Sequence, residues 1–184
     1  MLGGSFNPAH DGHLHISRHA IIGLGLDAVW WMVSPQNPLK SEAGMAPLAA
    51  RMAGAARIAS ADRRIKVTDI ETHLGTRYTV DTIAALHRIF PENRFVWLMG
   101  ADNLKQFAEW QGWRDLMESV PVAVFDRAPY SSEALAAKAA RAYATKRLKR
   151  ANARHLVEYD APAWIYFNTP RHPASATDIR SREG

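Results

Sequence analysis

Residues 3–13 read Gly3-Gly4-Ser5-Phe6-Asn7-Pro8-Ala9-His10-Asp11-Gly12-His13, and no other stretch gathers so much usable chemistry into so few positions. The glycine pair permits a sharp backbone turn and a close approach to a ligand, with no Cβ in the way. Pro8 stiffens the loop, and the spacing of Leu14, Ile16, Ile21 and Ile22 predicts a helix from Gly12 to Leu24. A helix start leaves unpaired N–H groups at the positive end of the dipole, so it favours an anion. His10 and His13 fall where that anion would lie, as donors that become cationic on protonation. The chemistry indicated is phosphate binding.

Other candidates lie further along the chain. Lys40 follows two prolines in a loop, where a lysine is ordinarily solvated. Gly100-Ala101-Asp102 ends the apolar run Phe95-Val96-Trp97-Leu98-Met99, and parallel sheets bind ligands beyond the carboxyl ends of their strands. Asp102 there is suited to accept from ribose hydroxyls or to hold a metal-bound water, and equally to cap a helix. Trp110 and Trp113 flank the turn-like Gln111-Gly112 and serve as core cover or as a stacking platform. Ser175-Ala176-Thr177-Asp178-Ile179-Arg180 reads locally as a helix cap followed by a short helix. His10, His13, His15 and His19 raise the question of zinc, but no cysteine and no acid beyond Asp11 completes a set, so no metal site is expected.

The glycines match neither the dinucleotide fingerprint nor a P-loop. Taken together, Gly-Gly, Phe-Asn-Pro and His-x-Gly-His resemble the (H/T)xGH nucleotidyltransferase superfamily, and more closely its bacterial nicotinate-mononucleotide adenylyltransferases. Five further blocks follow in that family's order: 34–40, 77–82, 99–103, 107–110 and 175–180. The resemblance implies adenylyl transfer from ATP, with Mg2+, to nicotinate mononucleotide. It implies catalytic roles for His10, His13, Lys40 and Arg180. It assigns Gly3, Gly4, Ser5, Phe6, Gly12, Gly100, Asp102, Ser175 and Thr177 to ATP, and Asn7, Tyr78, Thr79 and Trp110 to the mononucleotide, with Trp110 against the pyridine ring. Trp113 is left as a structural residue. A sister enzyme using nicotinamide mononucleotide, or a non-catalytic nucleotide- or RNA-binding module, is the alternative.

These residues need a scaffold, and 184 residues suffice for one domain, taken as 1–184. Hydrophobic residues at 47% and charged residues at 22% fit a globular chain, and the absence of cysteine removes disulfides and thiolate metal sites. No apolar run is long enough to span a membrane and no signal peptide is read, so a cytoplasmic location is expected. The net charge of +5 is local, because residues 134–157 hold seven Lys or Arg and no acid. A solvated helix face explains them better than a nucleic-acid surface, since no aromatic platform accompanies them. A homo-oligomer is left open.

Alternating apolar runs and helical patterns predict an α/β fold with a doubly wound parallel sheet, Rossmann-like in the nucleotidyltransferase manner. Strands are expected at 28–33, 65–68, 94–99, 120–125 and 163–167, and helices at 12–24, 47–60, 79–90, 113–118 and 132–150. Only Met1 and Leu2 precede the glycine pair, so the first strand is expected to be truncated.

Overall fold

The computed structural model describes residues 1–35, 44–127 and 129–168. Strands and helices alternate: β1 (Leu2–Gly4), α1 (Asp11–Leu24), β2 (Val29–Val33), α2 (Leu48–Ala59), β3 (Ile65–Thr68), α3 (Ile70–Leu74), α4 (Thr79–Ile89), β4 (Trp97–Gly100), α5 (Ala101–Gln106), α6 (Trp113–Ser119), β5 (Val122–Phe125), α7 (Ser131–Ala136), α8 (Lys138–Ala142) and β6 (Trp164–Phe167). The strands run in the order β3-β2-β1 and in the order β4-β5-β6. With its helical connections, this is the doubly wound α/β arrangement that the alternation predicts. The described chain groups into two compact units, residues 1–22 with 26–77, and residues 23–25 with 78–168.

In the first unit β2 pairs in parallel with both β1 and β3. Its sequence Val-Trp-Trp-Met-Val is a continuous apolar run, and Val29, Trp31, Met32 and Val33 are fully buried, as an interior parallel strand requires. The first strand does form. Leu2, Gly3 and Gly4 pair with Trp31, Met32 and Val33, and Ser34 N–H adds a bond to Gly4 O at 2.9 Å. This corrects the expected role of the glycines. Gly3 and Gly4 are strand residues, and the left-handed backbone falls on Phe6, at φ 47°.

In the second unit β5 pairs in parallel with β4 and β6, and every residue of all three strands is buried. The single helix expected over 132–150 is instead α7, α8 and 3-10 turns at Ala144–Lys146 and Arg150–Glu158. Extended backbone at Ala137, with ψ 157°, separates α7 from α8. Beyond α8, the Tyr143 carbonyl is taken by the Trp164 indole N–H at 2.7 Å, and the Tyr143 hydroxyl reaches Glu118 at 2.5 Å. Tertiary bonds thus outcompete helix continuation. The basic segment is also not a purely solvated face. Arg147 lies 5.4 Å from the Trp164 ring centroid, and Arg150 lies 4.4 Å from that of Phe167. These cations dress the β6 side chains, and Leu148 N–H bonds the Trp164 carbonyl at 2.8 Å.

Helices α3 and α5 have no counterpart in the sequence reading. At five and six residues they are too short to show a 3.6-residue period.

Candidate active site

The first loop folds around its two imidazoles. Phe6 is buried, stacked on Trp31 at 5.2 Å and tilted against His13 at 4.7 Å. That packing holds the φ 47° conformation, which costs on the order of 1–3 kcal/mol for a residue other than glycine. Helix α1 begins at Asp11, so His13 sits in its first turn. Gly12 N–H donates to His10 Nδ1 at 3.1 Å, and His10 N–H donates to His13 Nδ1 at 3.2 Å. A backbone N–H can only donate, so both Nδ1 atoms are acceptors in this arrangement. The ring proton of each histidine is thereby placed on Nε2. The two rings lie 4.0 Å apart. In this arrangement Nε2 is the donor atom of each ring.

Deeper supports continue from the same turn. Ser17 Oγ donates to the His13 carbonyl at 2.8 Å and accepts from the Trp31 indole at 2.7 Å, which ties α1 to β2. Glu71 of α3 is buried, and its Oε2 has no hydrogen-bond partner among the described residues. Burial pushes its carboxyl above the ordinary 4.5, against a smaller downward pull from the Ser34 side chain. A raised folded value gives stability that is complete below the unfolded pKa and lost as pH rises through the folded one. The melting temperature of the wild type, relative to Glu71→Gln, is therefore expected to be highest below about pH 4.5 and to fall above it. Parallel melting curves across pH check this, and a flat difference refutes it.

In the second unit Asp102 stands in the first turn of α5, directly after β4, while Gly100 occupies the N-cap position. Asp102 is therefore not the helix cap. Its Oδ2 receives Arg127 Nη1 at 2.8 Å, and its Oδ1 is buried with no hydrogen-bond partner among the described residues. Arg127 follows β5, so the carboxyl ends of two neighbouring strands present an acceptor and a cation together.

Tyr78 caps α4 in extended conformation and Thr79 opens the helix. Both the Thr82 N–H and its hydroxyl turn back to the Tyr78 carbonyl, at 3.1 and 3.2 Å. A Cβ on Gly112, whose φ is 62°, would lie 2.9 Å from Val80 Cγ1, so the start of α4 packs against this turn. Trp110 lies two residues before Gly112. Its ring meets Phe107 at 5.3 Å and Trp97 at 6.4 Å, and its buried Nε1 has no hydrogen-bond partner among the described residues. Trp113 instead packs edge-on against Phe107 and Tyr143, with Arg114 over its face.

The cytidylyltransferase-like family model matches residues 1–182. A relative from Parvibaculum lavamentivorans, named "Probable nicotinate-nucleotide adenylyltransferase", is 53% identical over all of this chain and 91% of its own length. One of the same name from Ruegeria pomeroyi is 52% identical over all of this chain and 85% of its own. The chain belongs to the nicotinate-nucleotide adenylyltransferase family. Among solved structures, a Plasmodium falciparum nicotinic acid mononucleotide adenylyltransferase complexed with NaAD shares the fold of this adenylyltransferase family member. The TM-score is 0.71 at 15% identity, with 98% of this chain and 80% of that chain covered.

Within this nucleotidyltransferase the first unit brings Gly3, Gly4, Ser5, Phe6, Asn7, His10, Gly12 and His13 into one strand–loop–helix segment. The second unit sets Gly100 beside Asp102, and Tyr78 and Thr79 near the turn that follows Trp110. Lys40, Ser175, Thr177 and Arg180 lie outside the described residues. Arg127 was missed by residue reading. Its signal was positional, directly after a buried strand, where parallel sheets place ligand-binding groups. Among the described residues no three His, Asp or Glu side chains gather as metal ligands. His15 and His19 instead meet edge to face at 4.3 Å. A Cβ at Gly100 would stand 2.3 Å from Asp102 Oδ1, so Gly100→Ala must displace the carboxylate. The expected cost is about 1–3 kcal/mol in urea unfolding. It should shrink in an Asp102→Ala background, and an equal cost there would refute the clash.

Proposed function

We propose that this chain transfers the adenylyl group of ATP to nicotinate mononucleotide, giving nicotinate adenine dinucleotide and pyrophosphate in NAD biosynthesis. The observation that carries the reading is the pair of imidazoles in the first loop, each accepting a backbone N–H at Nδ1. Fixed donors at a helix start suit phosphate oxygens whose charge changes during reaction. The names of the relatives and the bound NaAD of the Plasmodium falciparum protein support the same reading.

The acceptor phosphate is largely dianionic at pH 7, since its second pKa is about 6. It therefore needs no general base. Its oxygen attacks the α-phosphorus in line, the bond from that phosphorus to the bridging oxygen breaks, and pyrophosphate leaves with the electron pair. Catalysis rests on positioning and charge stabilisation. In this proposal His10 and His13 donate to the reacting phosphates, and Lys40 and Arg180 add positive charge, on the sequence pattern alone. The family resemblance assigns Gly3, Gly4, Ser5, Phe6, Gly12, Gly100, Asp102, Ser175 and Thr177 to ATP. Asn7, Tyr78, Thr79 and Trp110 receive the mononucleotide, although the Asn7 carboxamide also bonds its own fold, at Gly44 and Ala46.

Mg2+ arrives with the triphosphate as part of the substrate. The chain works as one nucleotidyltransferase domain in the cytoplasm, and no helix among the described residues is long and apolar enough to cross a membrane. Pyrophosphate release is the deciding assay, with ATP and each of nicotinate mononucleotide, nicotinamide mononucleotide and phosphopantetheine. Release with the first is expected, and its absence overturns the reading.

A further inference from the structure

Arg51 of α2 is a buried cation that the proposed chemistry does not use. It is only 3% exposed, and none of the ion pairs among the described residues includes it. Burying a guanidinium is costly unless its donors are met. Here they are met by backbone carbonyls. Nε donates to Ala46 O at 2.9 Å, Nη1 to Ser5 O and Ser34 O at 2.7 Å each, and Nη2 to Pro35 O at 2.9 Å.

These carbonyls belong to three separate stretches: the first loop, the exit of β2, and the residues just before α2. Two of the stretches are joined again by Asn7, whose Oδ1 accepts from Ala46 N–H at 3.2 Å and whose Nδ2 donates to Gly44 O at 3.0 Å. Ser5 precedes Phe6, and the Phe6 ring lies against His13 at 4.7 Å. A shift at Ser5 is thus passed by direct packing to the imidazole.

We infer that Arg51 is a positioning residue for adenylyl transfer, whose fork of donors fixes the first loop and so sets where His13 presents its Nε2 proton. The inference rests on the phosphate role proposed for His13. Lysine cannot replace the fork, because one ammonium cannot reach carbonyls spread around a planar guanidinium.

The test compares Arg51→Lys, His13→Ala and the double variant, each assayed well below its own melting temperature. Displacing a catalytic group by about 1 Å can cost about 100-fold, so kcat of Arg51→Lys should fall at least about tenfold, with the ATP KM within about threefold of wild type. In the His13→Ala background the same substitution should change kcat by less than about threefold, because the group it positions is gone. Nitrogen NMR of the imidazoles should show Nε2–H tautomers in the wild type and a mixed population at His13 in Arg51→Lys.

Wild-type kcat in a folded Arg51→Lys protein overturns the inference, as does an equal fold loss in both backgrounds. Should Arg51→Lys not fold, Arg51→Gln passes through the same arms, and failure of both to fold marks a purely structural residue and overturns the positioning role. Normal turnover by His13→Ala sinks the phosphate role itself. Low turnover by His13→Ala with normal turnover by Arg51→Lys sinks only the positioning role.

Discussion

His13→Ala is expected to lower kcat by about 100-fold or more, near 2.7 kcal/mol, while the ATP KM moves little. The split follows from the geometry. His13 Nδ1 accepts the His10 N–H at 3.2 Å, which leaves Nε2 as the donor atom of the ring. A donor held in place does little for ground-state affinity if it points to where charge develops later. Removing it leaves the ATP complex formed but the leaving pyrophosphate less stabilised. The fold should survive, because Phe6 keeps its stack on Trp31 and the His13 carbonyl keeps its bond from Ser17. Steady-state kinetics on the folded variant settle the point. A kcat near wild type removes the central role assigned to this loop, whereas a large rise in KM alone reassigns His13 to plain ATP binding.

The parallel α/β architecture was legible because its strands are long apolar runs and its larger helices carry a clear period. Val29–Val33 and Ile65–Thr68 fall where the pattern puts them, within a residue at each end. What escaped depends on contacts between distant residues. The break after α8 requires knowing that the Trp164 indole binds the Tyr143 carbonyl, across 21 residues of sequence. The residue types of the first loop suggest an anion site, but they do not reveal the loop's mechanics. Sequence assigned the turn to the glycines, and packing by Trp31 and His13 moved it to Phe6. Nor does sequence show that two backbone N–H groups meet the Nδ1 atoms of the histidines and leave Nε2 as the donor of each ring. Arg51 and Arg127 carry no local motif. Arg51 appears as one of two arginines in the alanine-rich stretch 48–59, and only the fold reveals that its donors converge on four carbonyls.

Nicotinate mononucleotide should be preferred over nicotinamide mononucleotide by at least about tenfold in kcat/KM, which corresponds to about 1.4 kcal/mol. The two acceptors differ only by a carboxylate in place of an amide. Helix α4 opens at Thr79 after an extended Tyr78, so its first N–H groups lie at the positive end of a helix eleven residues long, and in the proposed pocket they form a donor set with the Thr79 hydroxyl. A carboxylate offers this set two acceptor oxygens and gains charge-assisted bonds. The amide offers one oxygen, and its NH2 group turns toward a donor that it cannot satisfy, at about 1–3 kcal/mol. Trp110 acts differently. Its ring is braced by Phe107 and Trp97, and stacking on a pyridine ring does not depend on which substituent the ring carries. Trp110→Ala should therefore weaken both acceptors by similar factors and leave their ratio close to wild type. Thr79→Val, which removes the hydroxyl, should narrow the ratio. Competition between the two mononucleotides for limiting ATP measures the ratio in each protein, and kcat/KM for each acceptor alone measures the common loss in Trp110→Ala. Equal kcat/KM in the wild type would defeat the assignment of Tyr78 and Thr79 while leaving adenylyl transfer standing, and a ratio that collapses in Trp110→Ala would move the discrimination to the ring.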